Sequence, residues 1–380
     1  MEERRLECDG DRQGASPLFA TYFMGCCPQK AVEKGEKVMG ESPNPVQSAS
    51  RGRTLKVLGK ALGGMLRGAV RRPRFGTRDE SLAWSHGVLS SVLREVIGFT
   101  VSLDAPAQRG AVSGLFRDPK LPKDMTVEKE AVIGGVPGLR CHPVSWAENE
   151  NGPVLLHLHG GGYVIGSPET SVGFLYAMSK AAGAEVVAVD YRMAPEHPFP
   201  AAVDDAVAAY QGLLESGISP ERLVLTGDSA GGGLCVALLQ SLRDAHTPLP
   251  AGAVLFSPWC DLEQSGASME TNAKADYLTK EMLEKWAGWY AGETSRSDPL
   301  VSPIHADLSG LSPLLVFAGS AEVLLDDAVR LVAAVEAQGG DATLRVYDGM
   351  IHDWIGVASF LDASKKTMAE TADFVAAKSK

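Results

Sequence analysis

The sequence predicts an α/β fold in which a central, mostly parallel β-sheet is flanked by helices. Two observations carry this expectation. From about residue 126 onward, short near-continuous runs of Val, Leu and Ile alternate with amphipathic helical stretches, the pattern of strands whose two faces are both covered by crossover helices. The second is a glycine-rich turn, LTGDSAGGG (225–233), set between one such run and the helix that follows it. Ligands in open α/β sheets gather at the carboxyl ends of the strands, so this turn marks where the chemistry is expected.

Taken in order, MTVEKEAVI and GLRCHPVSW read as an opening pair of strands, followed by the apolar runs PVLLHLH (153–159) and GAEVVAVDY (183–191). The helix-like PAAVDDAVAAYQGLLESG leads to the strand RLVLTGD, the helix AGGGLCVALLQSLRDA and the strand AGAVLFSPW. After an insertion spanning 262–312, which contains the helix TKEMLEKWAGWYAG, come the strand SPLLVFAG, the helix DDAVRLVAAVEAQGG, the strand ATLRVYDG and a final helix from about Ser359 to Lys380. Upstream, residues 1–50 mix charges with Gly, Pro and Ser and show little periodicity, which reads as an extension. Residues 51–72 carry Leu55, Leu58, Leu62, Met65 and Leu66 at helical spacing among basic residues. That stripe fits a helix packed on its own protein, with a membrane-surface helix as the alternative. ESLAWSHGVLSSVLREVIG adds a second helical stretch, and 51–125 is assigned to a helical region ahead of a catalytic domain at 126–380.

Composition narrows the function classes. The chain has 380 residues, 45% hydrophobic and 22% charged, with a formal net charge of −11. An acidic chain lacks the basic surface that displaces counterions from nucleic-acid phosphates, so no nucleic-acid partner is expected. Cys8, Cys26, Cys27, Cys141, Cys235 and Cys260 show no metal-binding spacing, so neither a metal site nor a disulfide framework is expected and a reducing cytoplasm suits them. The N-terminus lacks the apolar core of a secretory signal, and no segment reaches the ~18 apolar residues of a membrane span.

Gly227-Asp228-Ser229-Ala230-Gly231 satisfies G-x-S-x-G between a strand and a helix, the context in which that pattern describes an exposed nucleophile. A serine hydroxyl needs a base and an acid to orient that base, and in this architecture they follow the serine as acid and then histidine. His352, in DGMIHDW, lies just past the carboxyl end of the last strand, whereas His305, in VSPIHADL, precedes a strand and belongs at its opposite end; His352 is the candidate base. Glu322 comes soonest after SPLLVFAG and is the candidate acid; Asp326 is second, since it and Asp327 read as the first turn of the next helix. His159-Gly160-Gly161-Gly162 directly follows a strand and offers backbone amides to an oxyanion. His157, within the strand, reads as a hydrogen-bonded core residue.

Together, HGGGY (159–163), DYRMAPEHPFPAA (190–202), GDSAGG (227–232), SPWCDL around Trp259 and Asp261, GSAEVLLDD (319–327) and DGMIHDW (348–354) resemble the α/β-hydrolase fold. Within it they resemble the hormone-sensitive-lipase-like (bacterial family IV) carboxylesterases. The resemblance spans about residues 126–360 and implies a serine carboxylesterase acting on short- to medium-chain esters without a cofactor. It places Ser229 as nucleophile, His352 as general base and Glu322 as orienting acid. It gives the oxyanion hole to the amides of Gly161, Gly162 and Ala230, with His159, Gly160 and Asp228 in support. It also implies a helical cap built from the N-terminal helices and the 262–312 insertion, a loop-holding role for Arg192 and Glu196, and a homodimer paired near the last strand. One departure stands out: relatives carry an aspartate in Asp-Pro-Leu where this chain has Glu322-Val323-Leu324. The rival from another class is a non-catalytic small-molecule receptor on the same fold; such receptors lack the histidine that this chain has at 352.

Overall fold

A computed structural model describes residues 80–115, 122–148, 151–357 and 361–380. The extension (1–50) and the amphipathic stretch (51–72) lie outside these residues. The described chain builds one eight-stranded sheet from β1 (Met125–Ile133), β2 (Val136–Pro143), β3 (Val154–Leu158), β4 (Glu185–Val189), β5 (Leu223–Asp228), β6 (Gly252–Phe256), β7 (Leu314–Gly319) and β8 (Ala342–Tyr347), ordered β1-β2-β4-β3-β5-β6-β7-β8. The β1/β2 and β2/β4 pairs are antiparallel and the other pairs are parallel. The expected α/β class therefore holds, and the opening pair of strands read from the sequence proves to be antiparallel.

Helices α1 (Glu80–Val101) and α2 (Ala105–Leu115) precede the sheet, and α3 (Val172–Ala182), α4 (Ala201–Glu215) and α5 (Ala230–Asp244) connect its first half. The insertion supplies α6 (Ser268–Thr271) and α7 (Lys280–Ala291), and α8 (Leu325–Ala337), α9 (Trp354–Val357) and α10 (Asp362–Lys378) complete the chain. The expected final helix is α10, and α9 is a short additional turn ahead of it, just after His352. Sequence periodicity missed α2 and α3. In α3 the buried stripe of Val172, Leu175, Met178 and Ser179 includes a serine, which weakens the apolar period.

The strands β3 to β7 are buried along almost their whole length, so their side chains feed two apolar layers. One layer packs α4, α5 and α8 against residues such as Leu156, Leu225, Leu255 and Val316. The other packs α3 and α10 against Leu155, Val224, Val254 and Phe317. Alternation along each strand sends successive side chains to opposite layers, which is why the runs are continuously apolar rather than patterned two by two.

Close packing at the carboxyl ends decides where α5 begins. A Cβ on Gly231 would overlap the backbone carbonyl of Leu158 at the end of β3, and one on Gly227 would overlap the carbonyl of Gly231. The first turn of α5 therefore sits directly on two strand ends. Gly231→Ala is expected to cost about 1–3 kcal/mol, because backbone rather than a flexible side chain must move; calorimetry should record a melting temperature lower by several degrees.

Candidate active site

Ser229 links β5 to α5 with φ 53° and ψ −119°, a left-handed conformation rare for a residue with a β-carbon. Hydrogen bonds on both sides hold it there: its amide donates to Phe256 O (2.8 Å), and its carbonyl accepts from Gly232 N (3.0 Å) and Trp259 N (2.9 Å). The turn raises the side chain above the sheet at the start of a helix.

Two neighbouring strand ends bring the partners. His352 follows β8, and Glu322 follows β7. Their loops are stitched together by hydrogen bonds from Ser320 N to Tyr347 O (2.9 Å) and Ala321 N to Met350 O (3.0 Å), and from Gly349 N to Ser320 Oγ (2.8 Å). His352 Nε2 lies 3.0 Å from Ser229 Oγ, and its Nδ1 lies 3.3 Å from Glu322 Oε2. The other carboxylate oxygen of Glu322 accepts from Gly319 N at 2.9 Å, so the acid is fixed at both ends. Glu322 is fully buried and Ser229 and His352 nearly so.

The other sequence candidates go elsewhere. Asp326 accepts from Ser268 N (2.9 Å), and Asp327 accepts from Cys260 N and Asp261 N (both 2.8 Å). His305 meets Glu263 at 3.0 Å. His157 is buried between Thr226 Oγ1 (3.1 Å) and Asp228 (3.3 Å). Burial lowers the pKa of His159 to about 4; its Nδ1 donates to Gly160 O (2.7 Å) and its ring stacks on Tyr191.

Gly161 and Gly162 carry φ values of 111° and 63°, and both line the cavity above Ser229. Among the described residues, the amides of Gly161, Gly162 and Ala230 have no backbone acceptor. The flanking loop is braced by Arg109, which donates to Val164 O (2.7 Å), Ala194 O (2.6 Å) and Glu196 (2.6 Å). Arg192 pairs instead with Asp205 of α4 at 2.7 Å. Both residues of the DYRMAPEHPFP stretch thus brace loops, each through a partner outside that stretch.

The cavity has a volume of about 80 Å³, with Ile97, Ile165, Tyr277, Leu278 and Trp286 as apolar walls over Ser229, His352 and Asp353. Ile97 comes from α1; Tyr277, Leu278 and Trp286 come from the insertion. The insertion is joined to α2 by Trp286 Nε1 donating to Gln108 Oε1 (3.1 Å) and to α1 by Lys285 Nζ donating to Val101 O (2.6 Å). The lysine thereby satisfies a carbonyl at the C-terminal end of α1, where a cation is also favoured by the helix dipole.

Sequence reasoning missed two carboxylates here. Asp353 Oδ2 lies 3.2 Å from His352 Nε2, and Asp353 has φ 47°. Its place directly after the candidate base was the available signal. Asp276 is buried behind the loops bearing Glu322 and His352 and left no signal, because it lies in the insertion far from them in sequence. Burial works against the imidazolium of His352, but the charges and hydrogen bonds of Asp353 and Glu322 outweigh it, and its pKa stands well above the ordinary 6.5. Burial likewise pushes the carboxyl of Asp353 up to about 7, against the pull of His352.

A hydroxyl, an imidazole and a carboxylate in one contact chain, under apolar walls and beside open amides, are the parts of a serine hydrolase. Comparison with known proteins agrees. Residues 155–356 match the model of a family described by its alpha/beta hydrolase fold. An esterase of Acinetobacter venetianus is 32% identical over 306 residues, covering 79% of this chain and 97% of that protein. An acetyl-hydrolase of Streptomyces hygroscopicus is 51% identical over 206 residues, 54% of this chain and 69% of that one. A crystal structure of an esterase from the bacterial hormone-sensitive lipase family superposes with a TM-score of 0.69 at 41% identity, covering 75% of this chain and 97% of that one. The chain belongs to the hormone-sensitive-lipase-like carboxylesterases of the α/β-hydrolase fold and is a carboxylic-ester hydrolase. No helix among the described residues is long and apolar enough to cross a membrane.

Proposed function

We propose that the protein hydrolyses short- to medium-chain carboxylic esters through an acyl-enzyme, with Ser229 as nucleophile, His352 as general base and Glu322 as orienting acid. The observation that carries this reading is the contact chain from Ser229 Oγ through His352 to Glu322 on the floor of the cavity. Ser229 Oγ bonds to the ester carbonyl carbon as its proton passes to His352 Nε2. The tetrahedral intermediate then expels the alcohol, which leaves with that proton. Water repeats the sequence on the acyl-enzyme and frees the acid. Glu322 holds the imidazole in the tautomer that leaves Nε2 free to accept. The amides of Gly161, Gly162 and Ala230 receive the oxyanion, each contributing about 3–4 kcal/mol when preorganised.

Substrate size follows from the walls. A cavity of about 80 Å³ is small beside the roughly 300–1,000 Å³ of pockets for drug-sized ligands, and apolar walls favour an alkyl chain of few carbons. The similarity to an acetyl-hydrolase supports the short end of the range. The segments around Ile97 and Leu278 act as a cap in this proposal. The partly exposed strand β8 at the sheet border supports pairing of two copies, and the proposal places the enzyme in the cytoplasm.

Ser229→Ala is expected to lower turnover of p-nitrophenyl butyrate by on the order of 10⁴-fold or more; wild-type turnover would sink the proposal. Glu322→Gln should lose far more activity than Asp326→Asn in the same assay, since Glu322 touches the imidazole and Asp326 instead accepts from Ser268 N. An acyl series from acetate to palmitate should peak at four carbons or fewer.

Turnover requires His352 Nε2 to be unprotonated. Because the pKa of that imidazole is raised, activity is present above it and is lost as pH falls through it, so the acid limb of kcat/KM should lie above about 6.5. Replacing Asp353 by Asn removes the larger of the charges that favour the imidazolium, and the limb should move to lower pH. A limb that stays put in Asp353→Asn contradicts the assignment of that charge.

A further inference from the structure

Helix α1, the insertion and the loops bearing Glu322 and His352 converge on one residue and the loop that carries it. Asp276, in the loop between α6 and α7, is fully buried. Its Oδ1 accepts from Tyr277 N (2.8 Å) and His352 N (3.2 Å), and its Oδ2 accepts from Val323 N (2.8 Å). Val323 directly follows the acid, and the His352 amide belongs to the base itself. One side chain thus bridges the acid loop and the base loop from behind, across 47 and 76 positions of sequence.

Only a carboxylate fits this arrangement. It presents two acceptor oxygens to three amides, whereas an asparagine presents one oxygen and turns an amino group toward an N–H donor. Hydrogen bonds from amides to an ionised carboxylate are stronger than neutral ones, and they compensate the burial of the charge. The charged and titratable groups facing Asp276 include His352, Glu322 and Tyr277 and, from α1, Arg94. Its carboxyl is pushed up to about 6, first by burial, with the His352 charge and the Val323 amide opposing.

The same loop is gripped from its other side by α1. Ser90 Oγ donates to Ala275 O (2.6 Å), and Arg94 Nη2 donates to Ala273 O (2.7 Å) and to the carbonyl of Asp276. Three residues beyond Arg94, Ile97 of the same helix lines the cavity. The helix that walls the cavity thus also holds the backbone of Asp276.

We propose that Asp276 is a positioning residue that keeps the acid-bearing and base-bearing loops in register, and that α1 acts on the active site through it. The inference rests on the reading of Ser229, His352 and Glu322 given above.

The test uses the full chain, p-nitrophenyl butyrate and an organophosphate titration that counts competent sites. Asp276→Asn should lower kcat per titrated site on the order of 10- to 100-fold, as a shift of about 1 Å in a catalytic group does, with KM within about twofold. The acid limb should also move to lower pH, because a negative charge beside the imidazolium is gone; a purely structural role would not move it. Asp276→Glu keeps the charge but misplaces it, so kcat should fall while the limb stays. Arg94→Gln should give a smaller fall in kcat that is absorbed in the double variant with Asp276→Asn. Wild-type kcat and an unmoved limb in Asp276→Asn overturn the positioning role. Should that variant fail to fold, wild-type kcat in Asp276→Glu overturns it instead. Losses that simply add in the double variant overturn the link to α1. If Ser229→Ala is inactive while Asp276→Asn is normal, this inference alone falls; an active Ser229→Ala removes the reading beneath it.

Discussion

The left-handed turn at Ser229 is the constraint on which the rest of the site depends. A serine held at φ 53° stores strain, and the surrounding backbone must hold it from several directions at once. The amide of Ser229 reaches back to β6, its carbonyl receives Gly232 and Trp259, and Gly231 lets the first turn of α5 press on the end of β3. Each contact needs the parallel register of β3, β5 and β6, so the sheet acts as a jig for one side chain. The buried apolar layers on both faces supply the stability against which such strain is sustained.

Around that fixed point the other groups arrive on loops, and loops need bracing. The two that bear Glu322 and His352 are tied to each other by backbone hydrogen bonds and to the insertion by Asp276. The glycine loop is braced by Arg109 from α2. Segments that wall the cavity therefore also support the groups beneath it, so the shape of the cavity and the placement of Ser229, His352 and Glu322 share the same backbone. His352 stands between carboxylates on both of its nitrogens, which favours the imidazolium over the neutral ring and raises its pKa.

Much of this was legible in the sequence, for physical reasons. Strands buried on both faces must be continuously apolar, so β3 to β7 stood out. A serine that needs glycines on either side for backbone clearance announces itself in five residues. Glu322 was readable despite the missing Asp-Pro-Leu pattern, because the end of β7 is where a carboxylate can reach across to the next loop. Helix α3 was hidden by a polar residue in its buried stripe. Asp276 was hidden because its partners are backbone amides, which any residue supplies and no pattern records. The partners of Arg192 and Glu196 were likewise invisible, since Asp205 and Arg109 meet them only after the chain has folded back.

The sequence by itself determined the α/β class and the tight strand-to-helix turn at Ser229, because backbone sterics and burial on two faces restrict which residue types can stand at those positions. Tertiary structure alone decided what surrounds the imidazole and what walls the cavity. Those contacts join segments distant in sequence, such as Arg94 with the loop at 276, Gln108 with Trp286, and Asp276 with Val323 and His352, and proximity of that kind is a property of the folded chain.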